Sequence, residues 1–263
     1  MKTFRPLLFL VSIVLIVGLA CSFGGGETAA PPVQPPTKVP QPVEPTEPPP
    51  PTEAPPTEPP PTEEPTEPPA SQAEQFFTEE FDQDPGSNWS VDIIGPGAEA
   101  YADTVKTEFD NSRFRIELPH DDLYFYYTFN GFTYENVRLD LRADNRGVNT
   151  NNVSLICRLS SDGWYEWSVG SGGDWILYAV TDGYNRITNG GTTFLKQGKE
   201  VNEYSMACND KKISMFINGK EIKQSPVTDN KYQLREGAVG FNISSLKVTP
   251  VIVEVDWFKI SEP

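Results

Sequence analysis

The chain has 263 residues, a formal net charge of -16 and 26 prolines. So acidic a balance argues against a nucleic-acid partner, whose phosphates need lysine and arginine, and disfavours electrostatic docking on anionic lipid head groups. Of the prolines, 19 lie between Pro31 and Pro69, and no aromatic residue occurs between Gly24 and Gln75. The foldable part therefore begins near Phe76, and the 188 residues from there to Pro263 suffice for one large β domain with a substantial core.

At the N-terminus Lys2 and Arg5 precede an apolar run of thirteen residues, Leu7 to Leu19, which ends in Gly18-Leu19-Ala20-Cys21. The run is too short to span a bilayer and carries the flanks of a secretory signal. These residues resemble a bacterial lipoprotein signal. The resemblance implies a signal peptide over residues 1–20, lipidation of Cys21, and a protein held on the extracytoplasmic face of the cell membrane. An uncleaved anchor with an incidental cysteine is the other reading, and it gives the same tethering. Residues 21–75 then form a linker of repeating Pro-Thr-Glu-Pro units. Proline fixes φ and removes a donor, so this segment favours extended polyproline II, and forty residues of it reach roughly 120 Å. A spacer is the simplest use; docking of a polyproline-binding partner is the alternative.

From Phe76 the pattern changes to short alternating runs. FFTEEFDQDPGSNWSV reads as a first strand and a loop around Pro85-Gly86, and RFRIEL alternates cleanly. LYFYYTFNGFTYENVRLDLRA reads as two strands about Asn130-Gly131. VSLICRLS, GWYEWSVG and WILYAV follow, separated by Ser160 to Gly163 and by Ser171 to Gly173. VNEYSMACNDKKISMFINGKEI reads as three antiparallel strands turning at Asn209-Asp210 and at Asn218-Gly219, where Asn-Gly supplies the two positive φ angles of a tight hairpin turn. GAVGFNIS and VIVEVDWFKI close the chain. About twelve strands with regular turn signals and no convincing helix predict an all-β, antiparallel β-sandwich over residues 76–263. Within it Cys157 and Cys208 each sit in a strand. Outside the cytosol such a pair is expected to be oxidised, closing a loop of about fifty residues; two buried free thiols are the alternative.

Glu80-Phe81-Asp82 with Trp89, Ile217-Asn218-Gly219, Gly237 to Phe241 and Asp256-Trp257-Phe258 together resemble the concanavalin A-like jelly roll of laminin-G-like and 3-keto-disaccharide-hydrolase-like domains. The whole plan is similar to bacterial surface lipoproteins with proline-rich stalks. The resemblance implies one structural Ca²⁺ between the first and last strands, with Glu80, Asp82 and Asp256 as hard oxygen ligands; that Asp256 only bonds neighbouring amides is the alternative. Enzymes on this fold that cleave β-glucans carry a Glu-x-Asp-x-x-Glu strand. Here Glu254-Val255-Asp256 is the nearest approach and the second glutamate is absent. His120 is the only histidine, and no Gly-x-Ser-x-Gly elbow occurs, so no catalytic residue is assigned.

Sugar binding needs aromatic faces beside carboxylate or amide partners. Trp164, Tyr165, Trp167, Trp175, Tyr178 and Tyr184 are crowded together, and alternation forbids that all face one way. If Tyr165, Trp167 and Val169 fill the core, then Trp164 and Glu166 point out, while Trp175 and Tyr184 lie near loops. Trp164, Glu166, Trp175 and Tyr184 are thus the candidate ligand-binding residues. The expected function is non-catalytic binding of an extracellular glycan or surface polymer. A glycoside-acting enzyme of the 3-keto-disaccharide-hydrolase type, and a protein-adhesion or envelope-structural module, are the alternatives.

Overall fold

The computed structural model describes residues 74–263; the signal-like segment, Cys21 and the proline-rich linker lie outside the described residues. Sixteen strands run in chain order as β1 (Phe77–Glu79), β2 (Trp89–Ile94), β3 (Lys106–Phe109), β4 (Phe114–Leu118), β5 (Tyr124–Tyr134), β6 (Val137–Asn145), β7 (Asn151–Ser160), β8 (Gly163–Gly170), β9 (Asp174–Val180), β10 (Tyr184–Gly191), β11 (Val201–Asn209), β12 (Lys212–Ile217), β13 (Lys220–Glu221), β14 (Val227–Thr228), β15 (Gly237–Ser245) and β16 (Val251–Ser261). One helical turn, Ala98–Tyr101, continues as a 3₁₀ turn to Thr104. Every strand pairing is antiparallel, in two sheets. The first has the order β13-β12-β11-β6-β16-β4-β3, with β1 against the end of β16 and β14 against β12; the second has the order β10-β9-β8-β7-β15-β5-β2. The molecule is a jelly-roll β-sandwich whose last two strands lie inside their sheets, not at the edges.

Alternation builds the layers. On β8, Tyr165, Trp167 and Val169 face the other sheet and are buried, as are Phe125, Tyr127 and Phe129 on β5 and Val239, Phe241 and Ile243 on β15. The facing sheet contributes Phe114, Ile116, Leu139, Leu141, Met206, Val253, Val255 and Phe258. The aromatic centre is tight, with Trp89 stacked on Tyr127 at 4.7 Å and Phe81 against Phe114 at 5.4 Å. Phe81 adopts φ +55, rare for so bulky a residue, while its own amide donates to Glu79 Oε1 and its ring is fully buried.

Two readings of the sequence are corrected by the pairing. Asn130-Gly131 is not a turn: β5 continues through it to Tyr134 with a bulge that leaves residues 130–133 unpaired with β15, and the chain reverses only at Glu135-Asn136. The Asn130 amide donates to Asn88 O and its side chain to Ser90 Oγ, so the asparagine is spent on β2, while the Phe129 ring crowds the space a Cβ at Gly131 would need. The second is the edge strand β10, whose YNRITNGG alternates too poorly to announce a strand; it pairs with β9 through a bulge between Arg186 and Thr188. At Asn218-Gly219 both residues do have positive φ, +51 and +73, and turn β12 into the short β13.

The sheets are joined by a disulfide from Cys157 on β7 to Cys208 on β11, across 51 residues of chain. Near it Arg158 is buried and donates to the carbonyls of Glu135, Leu234 and Asp210, tying three connections to one guanidinium. Reducing the disulfide without denaturant is expected to lower unfolding free energy by about 4 kcal/mol on the chain-entropy account. Paired guanidinium melts with and without reductant measure this, and coincident melts would show that the bond carries no stability.

Candidate functional site

The outward face of the sheet that contains β8 is a groove. Tyr124 and Tyr126 stand on β5, and Tyr184 stands on the edge strand β10; five strand spacings separate β5 from β10, about 24 Å in a flat sheet. Yet the rings of Tyr124 and Tyr184 are 6.4 Å apart, and the hydroxyls of Tyr126 and Tyr184 share a hydrogen bond of 2.5 Å. Only a strongly curled sheet brings those side chains together, so this face is concave and β8, β7 and β15 form its floor.

Glu166 of β8 lies in that floor and is only 3 % exposed. Its Oε2 accepts from the Tyr126 hydroxyl at 2.7 Å and from the Trp164 indole N–H at 3.1 Å. Burial pushes the Glu166 carboxyl above its ordinary range, and the donations from Tyr126 and Trp164 offset part of that rise. Burial beside Glu166 likewise raises the phenols of Tyr126 and Tyr184, which therefore stay protonated. A cleft of about 360 Å³ opens beside this group, lined by Glu166, Tyr124, Tyr178, Tyr184, Ser168 and Asn152, with Ser244 and Leu246 at its other wall. Among the described residues, Glu166 is the only acid in that lining.

Of the four residues proposed from sequence for ligand contact, Trp164, Glu166 and Tyr184 thus come together. Trp175 does not. It points into the core and is fully buried, because β9 turns Trp175, Leu177 and Ala179 inward; its indole packs so closely on Gly190 that a Cβ there would lie 2.7 Å from the ring. Sequence reasoning missed Tyr126 as a partner of Glu166. Alternation puts members of YFYYTF on both faces of a strand, but nothing in the pattern tells how far a curled sheet lets a phenol reach.

Glu254 and Asp256 lie on β16 of the other sheet and belong to an ion-pair lattice on its outer face. Arg113 reaches Glu254 at 3.0 Å and Asp256 at 3.2 Å, Arg142 reaches Asp256 at 2.9 Å, and Arg146 reaches Glu254 at 3.0 Å. Partial burial pushes the Glu254 carboxyl up, but hydrogen bonds from Arg146 and Arg113 more than reverse this and hold it below its usual value. These acids are neutralised and face away from the groove. The calcium ligands expected from sequence are not gathered either. Asp256 is held by arginines, Asp82 accepts from Ser112 Oγ, and no cluster of three histidine, cysteine or acidic side chains suited to a metal occurs among the described residues. Glu80, just beyond β1, is exposed to solvent. His120 stacks on Tyr101 at 3.9 Å.

No family model matches the chain, and no curated protein matches it. Many solved structures share the fold. A Bacillus subtilis protein of unknown function with a galectin-like fold is similar with a TM-score of 0.56 and 11% identity, over 71% of this chain and 94% of that one. A β-1,3-1,4-glucanase (lichenase) from a mouse hindgut metagenome gives a TM-score of 0.54 and 12% identity, over 72% and 99%. A Bacillus licheniformis β-glucanase gives 0.53 and 14%, over 73% and 100%. Identities this low show a shared jelly-roll fold.

Glu166 also carries a pH signature. A carboxyl whose folded pKa lies above its unfolded value stabilises the fold relatively at low pH, and that contribution disappears as pH rises from the unfolded value through the folded one. Glu166→Gln keeps an acceptor for Tyr126 and Trp164 and removes the titration. The variant is expected to match wild type below about pH 4 and to exceed it at pH 7, measured by urea melts at both. A larger deficit at pH 7 than at pH 4 would contradict the assignment.

Proposed function

We propose that this protein binds a neutral glycan in the concave groove without cleaving it, and that it does so as a lipid-anchored protein held off the extracytoplasmic face of the cell membrane by its proline-rich linker. The observation that carries the binding reading is the cleft beside Glu166. Its volume lies within the range of small-ligand sites. Tyr124, Tyr178 and Tyr184 offer aromatic faces for pyranose rings, and Glu166, Asn152, Ser168 and Ser244 offer hydrogen bonds for hydroxyls.

The non-catalytic part rests on charge. Glycoside hydrolysis ordinarily uses two carboxyls facing each other across the scissile bond, about 5 Å apart in retaining enzymes and up to about 9 Å in inverting ones. Here one acid lines the cleft among the described residues, and it is occupied by Tyr126 and Trp164. The tether reading rests on the signal-like residues 1–20, Cys21 and the Pro-Thr-Glu repeats.

A second reading, a glycoside-acting enzyme, is favoured by one observation: a buried carboxyl with raised pKa suits a general acid. Binding and turnover of soluble mixed-linkage β-glucan by the detergent-solubilised full-length protein separate the two. We expect retention on the polymer with no release of reducing ends, about a tenfold loss for Tyr178→Ala, and no change for Trp257→Ala on the opposite sheet. Reducing ends that vanish in Glu166→Gln would replace the binding reading with the enzymatic one.

A further inference from the structure

Tyr126 must cross two strands to reach its partner. It stands on β5 and Glu166 on β8, with β15 and β7 between them. The cross-strand register places Asn242 of β15 beside Tyr126, Ser154 of β7 beside Asn242, and Ser168 of β8 beside Ser154. All four side chains stand on the concave face, so the phenol lies over Asn242 and Ser154. Both are buried, Asn242 to 1 % exposure. Asn242 accepts from Ser244 Oγ at 2.7 Å, but its Nδ2 donor has no partner. A buried donor without an acceptor costs on the order of 1–3 kcal/mol, and a groove that kept it covered permanently would gain nothing from an amide there.

The far end of the phenol meets Tyr184, which is 44 % exposed and stands at the start of an edge strand. Edge strands with one pairing partner move more freely than interior ones. The Tyr126–Tyr184 bond therefore forms a bar over the floor, with the Glu166 cleft opening beside it and Asn242 beneath it.

We propose that this bar is a latch. Resting on the glycan-binding reading above, the latch makes the groove a length-selective site: a short ligand occupies the open cleft, whereas a longer β-glucan oligosaccharide displaces Tyr184 and Tyr126 and uses the freed Asn242 Nδ2 as a donor to a sugar oxygen. Tyr184 and Asn242 are then the residues that set chain-length preference. The apparent affinity for the long ligand is reduced by the fraction of molecules that are open. Removing the phenol–phenol hydrogen bond, worth about a factor of five in an equilibrium, should raise that fraction by the same factor.

Tyr184→Phe keeps the ring and deletes the bond. In calorimetric titrations of the full-length protein with cello- and mixed-linkage oligosaccharides from disaccharide to hexasaccharide, Tyr184→Phe is expected to raise the ratio of hexasaccharide to disaccharide affinity about fivefold. Adding Asn242→Ala should cancel the gain. Loss of affinity for short and long ligands alike would make Tyr184 a plain stacking platform and overturn the latch while leaving the binding reading intact. A second measurement needs no glycan. Ser154→Cys places a near-isosteric thiol under the bar, and its alkylation rate, above the background of the unsubstituted protein, should rise about fivefold when Tyr184→Phe is added. Equal rates in the two backgrounds overturn the latch whether or not any sugar binds; a faster rate with no sugar bound overturns only the reading on which the ligand rests.

Discussion

A strand has two faces, and β8 places an indole on each. Trp167 with Tyr165 and Val169 fills the space between the sheets, which obliges Trp164, Glu166 and Ser168 to stand on the other side. The groove is therefore a by-product of core packing. The same obligation works on β5, where Phe125, Tyr127 and Phe129 are anchors for the core and Tyr124, Tyr126 and Thr128 are left for the concave face. Because the aromatic residues on the inner side are large and tightly stacked, the strands beneath the groove have little freedom to shift, and Glu166 is held against its donors by the core below it.

The two outer faces of the sandwich solve burial of charge in opposite ways. On the sheet of β16, acids and arginines are gathered in alternating contact, so that Asp144, Glu254 and Asp256 share Arg113, Arg142 and Arg146. Such partly buried networks fix register more surely than they add stability. On the concave sheet Glu166 is bonded by neutral donors, the Tyr126 hydroxyl and the Trp164 indole. A carboxyl bonded in this way is a strong acceptor, which suits a hydroxyl-rich neutral ligand better than an acidic one.

Much of the sandwich was legible in the sequence. Alternation in RFRIEL, VSLICRLS, GWYEWSVG and VIVEVDWFKI is carried by residues buried on one face, so the pattern and the structure have the same cause. The outward placement of Trp164 and Glu166 followed from that alone. What was not legible depended on the third dimension. Asn130-Gly131 carries the chemistry of a turn, yet the asparagine is used by β2. Trp175 sits two residues after a glycine turn and looks loop-like, yet the first residues of β9 are already core. Tyr126 and Tyr184 are 58 residues apart and meet only through the curl of the sheet. Asp256 has the chemistry of a metal ligand in the sequence, and only the fold brings Arg113 and Arg142 against it.

The positions of β15 and β16 carry a consequence for how the chain acquires its structure. These are the last two strands to be synthesised, and each lies in the interior of its sheet: β15 between β7 and β5, β16 between β6 and β4, with β1 also docked on β16. Until residue 245 is available β5 and β7 have no mutual partner, and β4 and β6 stay unjoined until β16 is made. Each sheet is completed only by one of these late strands, and pairings such as Phe77 with Ile260 make the closing contacts among the longest in sequence. Both sheets are therefore closed late in synthesis, when β15 and β16 insert between strands made long before them.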